Sequence, residues 1–102
     1  MSTMSRIAEV RLICIYADGS RQEVVAGVDL PYRTQTGEWA CKATLSPMHQ
    51  LRDVKGEDSF QALCLALSLI KQMLERFQDH GGQILDSGGA PLPLDAEFGR
   101  LQ

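Results

Sequence analysis

The chain has 102 residues, 44% of them apolar and 23% charged, and carries a net charge of −3 at neutral pH. A chain of that size holds one hydrophobic core, so a single domain over 1–102 is expected. The acidic balance offers no basic field for phosphate backbones or anionic lipid, which argues against nucleic acid and membrane as partners.

No apolar run approaches the roughly 20 residues a membrane span requires, and "MSTMSRIAEV" has no apolar signal region, so a cytoplasmic location is expected. Cys14, Cys41 and Cys64 are odd in number and too far apart for either a disulfide framework or close zinc-binding pairs. They read as reduced, mostly buried thiols, and neither metal nor cofactor is expected.

From Ile7 to Ala17, "IAEVRLICIYA" places Ala8, Val10, Leu12, Cys14 and Tyr16 on one face, the period of a half-buried strand. "RQEVVAGV" repeats the alternation with Val24, Ala26 and Val28, and "ADGS" between the two is a turn signal. Residues opposite one another in an antiparallel pair share a face. A two-residue turn would set Cys14 against Glu23. A three-residue loop Ala17–Asp18–Gly19, with Gly19 left-handed, instead pairs Leu12 with Val24 and Val10 with Ala26. The longer loop is therefore expected.

"DLPYRTQTG" (29–37) reads as an exposed connecting loop. "EWACKATL" then places Trp39, Cys41, Ala43 and Leu45 on one face of a third strand, with Trp39 as the aromatic anchor of the core. "HQLRDVK" has only Leu51 and Val54 to bury and suits a short edge strand. A helix is expected from Ser59 to His80. Asp58 serves as N-cap and Gln61 as its capping-box partner, Phe60 opens the apolar stripe, and Gly81–Gly82 ends the helix. At 1.5 Å per residue this helix is roughly 33 Å long, about the length of the first strand, so it should lie across the sheet. The tail offers a short strand at Ile84–Leu85 and then a glycine- and proline-rich stretch, expected as an extended strap over 87–102 outside a core of 7–86.

Gly37–Cys41, "GEWAC", and Asp58–Ile70, "DSFQALCLALSLI", resemble a small bacterial domain family of unknown function with a G-x-W-x-C strand and a D-[SA]-[LF]-Q-A-L-x-L-A-L helix. The resemblance implies an α+β domain of similar layout and brings no activity, cofactor or catalytic residue.

Chemistry is sparse. His49 falls in the polar edge segment and His80 in the last helical turn, where a cation suits the helix dipole. Cys64 lies a full turn beyond the amides that would lower its pKa and has no glycine-rich oxyanion loop beside it, so pairing with His49 does not make a hydrolase. Glu57, Asp58, Glu75 and Asp79 read as a solvated face.

Surplus apolar surface is the informative feature. The helix stripe spans about half the circumference, wider than the roughly 100° a helix on a core needs. Ile13, Ile15 and Val25 project to the sheet face opposite Leu12 and Val24. Three covers compete for this surplus: the tail, folding Ile84, Leu85, Leu92 and Leu94 over the flank of Leu65, Leu69 and Met73; a second copy of the chain, through the outer sheet face or that flank; or another protein or an apolar small ligand. The fold expected is a two-layer α+β sandwich with an antiparallel β-meander of three to four strands, one long helix and a C-terminal strand or strap. The function expected is a non-catalytic protein-interaction module, homodimeric, of an adaptor or inhibitor type. Its candidate interface residues are Ile13, Ile15, Val25, Leu65, Leu69 and Met73. The alternative is a small-molecule-binding domain with an apolar pocket lined by Trp39, Phe60 and Met73.

Overall fold

The computed structural model describes residues 6–99. It is a two-layer α+β arrangement of antiparallel sheets against one long helix. Strands β1 (Arg6–Ile15) and β2 (Arg21–Asp29) form the central hairpin. The register joins Leu12 to Val24 and Val10 to Ala26, as parity requires. The loop is Ala17–Asp18–Gly19, closed by Tyr16 N–H donating to the Ser20 carbonyl at 2.8 Å. Gly19 has φ +89°, the left-handed position that suits a residue without Cβ. Asp18 accepts bonds from the Ser20 amide and hydroxyl, which lowers its pKa through the amide first.

Beyond the hairpin the chain departs from a simple meander. Residues 29–37 are not all loop: β3 (Tyr32–Arg33) pairs with β4 (Trp39–Cys41) around a turn at Gly37, φ +93°. The third strand is not continuous either. It breaks at Lys42, so that β4 lies in a three-stranded sheet with β3 and β6 (Val54–Gly56) on either side, while β5 (Ala43–Ser46) pairs with β2 in a four-stranded sheet that β7 (Gln83–Asp86) completes, order β5-β2-β1-β7. A clean alternation fails at this crossing: Ala40 and Cys41 are adjacent and both buried. Trp39 is half-buried rather than a core anchor, with the Arg33 guanidinium 5.6 Å from its ring centroid, a cation–π contact. The edge segment forms β6 (Val54–Gly56), paired with β4, and Leu51 and Val54 pack on the core.

Helix α1 (Ser59–Asp79) begins as expected: the Asp58 side chain accepts from the Gln61 amide at 2.7 Å. The Gln61 side chain returns its bond one residue earlier than a capping box, accepting from Glu57 N–H. At the other end, Gly82 N–H reaches the Phe77 carbonyl and Gly81 N–H the Gln78 carbonyl, the Schellman pattern that satisfies terminal carbonyls. The row Ala62, Ala66, Ile70 and Leu74 is buried against Leu12, Cys14, Val24, Ala26, Val28 and Leu45. Each large aliphatic so removed from water contributes about 1.5–3 kcal/mol.

The tail pairs as β7 (Gln83–Asp86) with residues 12–15 of β1, then turns and forms a short helix α2 (Leu94–Phe98) where an extended strap was expected. Of the strap span, residues 100–102 lie outside the described residues. Helix α2 forms because Leu94 is buried and Leu92 and Phe98 also pack on the core, which a straight strap could not arrange on one side.

Gly56 sits where an added Cβ would lie 2.6 Å from the Ala62 amide nitrogen. Gly56→Ala is expected to cost about 1–3 kcal/mol by forcing β6 off the helix, whereas Gly88→Ala, whose Cβ would meet only ordinary contact, should change stability by under about 0.5 kcal/mol. Urea unfolding of both variants measures the difference.

Candidate functional site

Four-apart positions on a helix form rows, and three rows of α1 have different surroundings. The central row is the buried one. On one side, Leu67 and Lys71 are covered by the tail: Lys71 Nζ lies 2.9 Å from Asp95 and 3.4 Å from the Gly99 carbonyl, and Leu67 lines a cleft together with Phe98. On the other side run Leu65, Leu69 and Met73. Of these only Met73 packs on the core, while Leu65 is 42% exposed. The tail therefore covers the opposite flank from the one assigned to it. Lys71 is the buried charge of the described residues, 9% exposed. Its cost is offset by the Asp95 carboxylate and the Gly99 carbonyl. Phe60, expected at the start of the stripe and in a pocket, is 75% exposed, because it falls outside the buried row.

A cleft does open between the layers, but Trp39, Phe60 and Met73 do not line it. Its volume is about 220 Å³, and its walls are Val10, Ala26, Val28, Leu67, Ile70 and Phe98, with Glu97 at the rim. It exists because α1 seats over β2, β5 and the smaller sheet, leaving the inner face of β1 near Ala8 to α2.

The outer face of the four-stranded sheet carries the other predicted residues. The ladders set Ile13 between Glu23 and Leu85, Ile15 between Arg21 and Gln83, and Val25 between Arg11 and Ser46. All three are half-buried by these neighbours. Both helices contribute to the core on the inner face, and no described element overlies the outer one. The smallest extent of the molecule, 20 Å, is that of one sheet and one helix layer.

At the far end of the same face the pattern turns polar. A register shift between Arg6 and Ala8 carries Arg6 to the outer side. There its guanidinium bonds Asp29 at 3.0 Å, Glu9 at 2.8 Å and Thr44 at 3.3 Å, crossing Gly27, whose missing Cβ would lie 3.1 Å from Arg6 Cδ. Beside it lies a groove of about 600 Å³ between the sheet and the 47–53 loop, lined by Arg6, Arg11, Lys42 and His49 among others. Sequence reading missed this groove. Strand alternation carries no signal that brings Arg11 and Lys42 together or moves Arg6 across.

This domain matches the family described as a domain of unknown function, DUF6968, over residues 10–92. The chain belongs to that family. No curated protein and no solved structure matches it. In this DUF6968 domain no helix among the described residues is long and apolar enough to cross a membrane, and no group of three or more His, Cys, Asp or Glu is placed to hold a metal ion. The three cysteines are free: Cys14 and Cys41 buried, Cys64 half-buried. Cys64 shares no hydrogen bond with His49, which lines the outer groove.

Burial pushes the Cys14 thiol up to about 11 and raises Cys41 as well, with Asp29 adding to the latter. A thiol whose folded pKa is raised stabilises the fold fully below its unfolded value near 9.0, and the contribution fades as pH climbs toward about 11. Urea midpoints are thus expected to fall over that window by less in Cys14→Ala than in the wild type. At neutral pH, Ellman's reagent should label Cys64 first and the other two only on unfolding.

Proposed function

We propose that this domain is a protein-interaction module without catalytic activity that self-associates as a homodimer through the outer face of its larger sheet. The observation that carries this reading is the uncovered outer face, where Ile13, Ile15, Val25 and Leu85 lie on neighbouring strands with both helices packed behind them. Apolar surface on small domains commonly marks an interface, and a two-fold dimer is the commonest assembly that buries it. Because their neighbours already half-bury these side chains, little rotamer freedom remains to be lost on association. An adaptor or inhibitor acting in a bacterial cytoplasm fits such a module. Leu65 and Leu69 on the α1 flank offer a second, smaller contact.

Light scattering of the wild type at micromolar concentration is expected to give the mass of two chains, and Ile13→Lys with Ile15→Lys the mass of one with the melting transition retained. A wild type that stays monomeric removes the self-association.

The cleft beside Phe98 favours a second reading, a site for a small apolar molecule. On that reading an apolar ligand raises the melting temperature by mass action, and Leu67→Trp, which fills the cleft, removes the shift. No ligand-induced shift across a broad metabolite panel counts against it.

A further inference from the structure

We propose that the open edge of β1 accepts an extended segment of a partner protein as an added antiparallel strand, with an aliphatic side chain of that segment seated at the cleft beside Phe98. The inference rests on reading the domain as an interaction module and not on its self-association. The Tyr16 amide donates to the Ser20 carbonyl. By the alternation of an antiparallel ladder, Cys14, Leu12 and Val10 therefore exchange their backbone bonds with β2, and the odd-numbered residues turn theirs to the other side. There β7 takes up Ile13 and Ile15. The Ile84 carbonyl accepts from the Leu92 amide, away from β1, which agrees with Gln83 and Leu85 being the residues that face it. Strand β7 ends opposite Leu12, and the chain turns away through Ser87, where the Asp86 amide closes a turn on the Ala90 carbonyl. Glu9 and Arg11 are left holding out two amides and two carbonyls that have no partner among the described residues.

These groups name their occupant. A donor and an acceptor recur at every second residue, about 7 Å apart, a spacing that another extended backbone meets with both kinds of group. Phosphate oxygens would satisfy the amides alone. The window is short, closed by β7 at Leu12 and by the register shift between Arg6 and Ala8. A bulge and charged side chains are the ordinary guards of an edge against indiscriminate pairing, and here they limit the guest to about five residues. What distinguishes this edge from a merely guarded one is the ground beside it. A residue placed opposite Val10 shares its inner face. That face is buried at Leu12 and Cys14, but Val10 is half-buried and Ala8 exposed. The cleft of about 220 Å³ between Val10, Leu67 and Phe98 lies on that side, so the inward side chain of an added strand meets apolar walls that α1 and α2 leave uncovered. The backbone supplies attachment, and the cleft selects an aliphatic residue at the inward position.

The test follows the amides of the ¹⁵N-labelled 102-residue chain by NMR and hydrogen exchange, with acetyl-Thr-Val-Thr-Val-Thr-amide as the probe. In the free protein the Glu9 and Arg11 amides are expected to exchange fast while those of Val10 and Leu12 are protected. At a peptide concentration about ten times Kd, the first two should slow by about ten-fold. Arg11→Pro removes one outward amide and no bond to β2, a change that a sheet edge tolerates. It is expected to weaken binding by more than about ten-fold, whereas Arg11→Ala, which keeps the amide, stays within about two-fold. The same peptide N-methylated at its central threonine should not bind, and replacing its valines with alanine should weaken binding by about ten-fold. The two altered peptides carry the test on the wild type if Arg11→Pro does not fold. The proposal is overturned if Glu9 and Arg11 are already protected in the free protein, if the pentapeptide does not bind, or if its N-methylated form binds as well. Protection of Glu9 and Arg11 that rises with protein concentration gives the edge to a second copy and overturns it too. Light scattering on the same samples keeps the two readings apart. A monomeric wild type that binds the pentapeptide removes self-association and leaves the edge; a dimer that ignores the peptide does the reverse.

Discussion

At Gly56 the backbone of β6 meets the first turn of α1 so closely that no side chain fits between them. That approach fixes how the smaller sheet sits on the helix, and much of the fold follows from it. With β6 pressed on Ala62, its partner β4 is carried under the same end of the helix, and Trp39 and Cys41 join the core edge. The chain must then cross from β4 to β5 in one step at Lys42 to reach the larger sheet. One buried row of α1, with alanine at its start and Ile70 and Leu74 beyond, serves both sheets because small residues face the close contact and large ones the wider gap.

A helix committed to two sheets cannot also cover all of β1. The tail compensates: β7 extends the sheet beside residues 12–15, and α2 brings Leu94 and Phe98 over the rest. Lys71 fastens this addition through Asp95 and the Gly99 carbonyl. The coverage is incomplete, and the cleft between Val10, Leu67 and Phe98 is what remains. The cleft is thus a consequence of where the close contact places the helix, whatever use is made of it.

The outer face has two halves made by different rules. Near the hairpin end, simple alternation sets Ile13, Ile15 and Val25 side by side, and pairing with β7 adds Leu85. Near the other end a bulge turns Arg6 outward, where three bonds hold it across Gly27, and the loop after β5 raises a wall that turns a flat surface into a trough. Apolar and polar ground therefore adjoin on one side of the larger sheet.

Local pattern was sufficient for the hairpin, since the parity of Leu12 against Val24 leaves one loop length that keeps the core on one side. It was sufficient also for α1 from its Asp58 cap to its glycine stop, because caps and periodicity act within a few residues, and for the apolar side of Ile13, Ile15 and Val25. Tertiary structure decided the rest. Alternation through 38–45 concealed a change of sheet, because adjacent burial of Ala40 and Cys41 depends on a second layer that no local period encodes. The burial of Lys71 and the helical turn at Leu94 were set by which flank the tail reached, while Phe60 stays exposed because it falls outside the buried row. The outer groove likewise joins residues from β1, β5 and a loop that only long-range pairing brings together. What the sequence determined was which faces each segment owns; which faces meet was left to packing, where a single glycine against a helix outweighs the period of a strand.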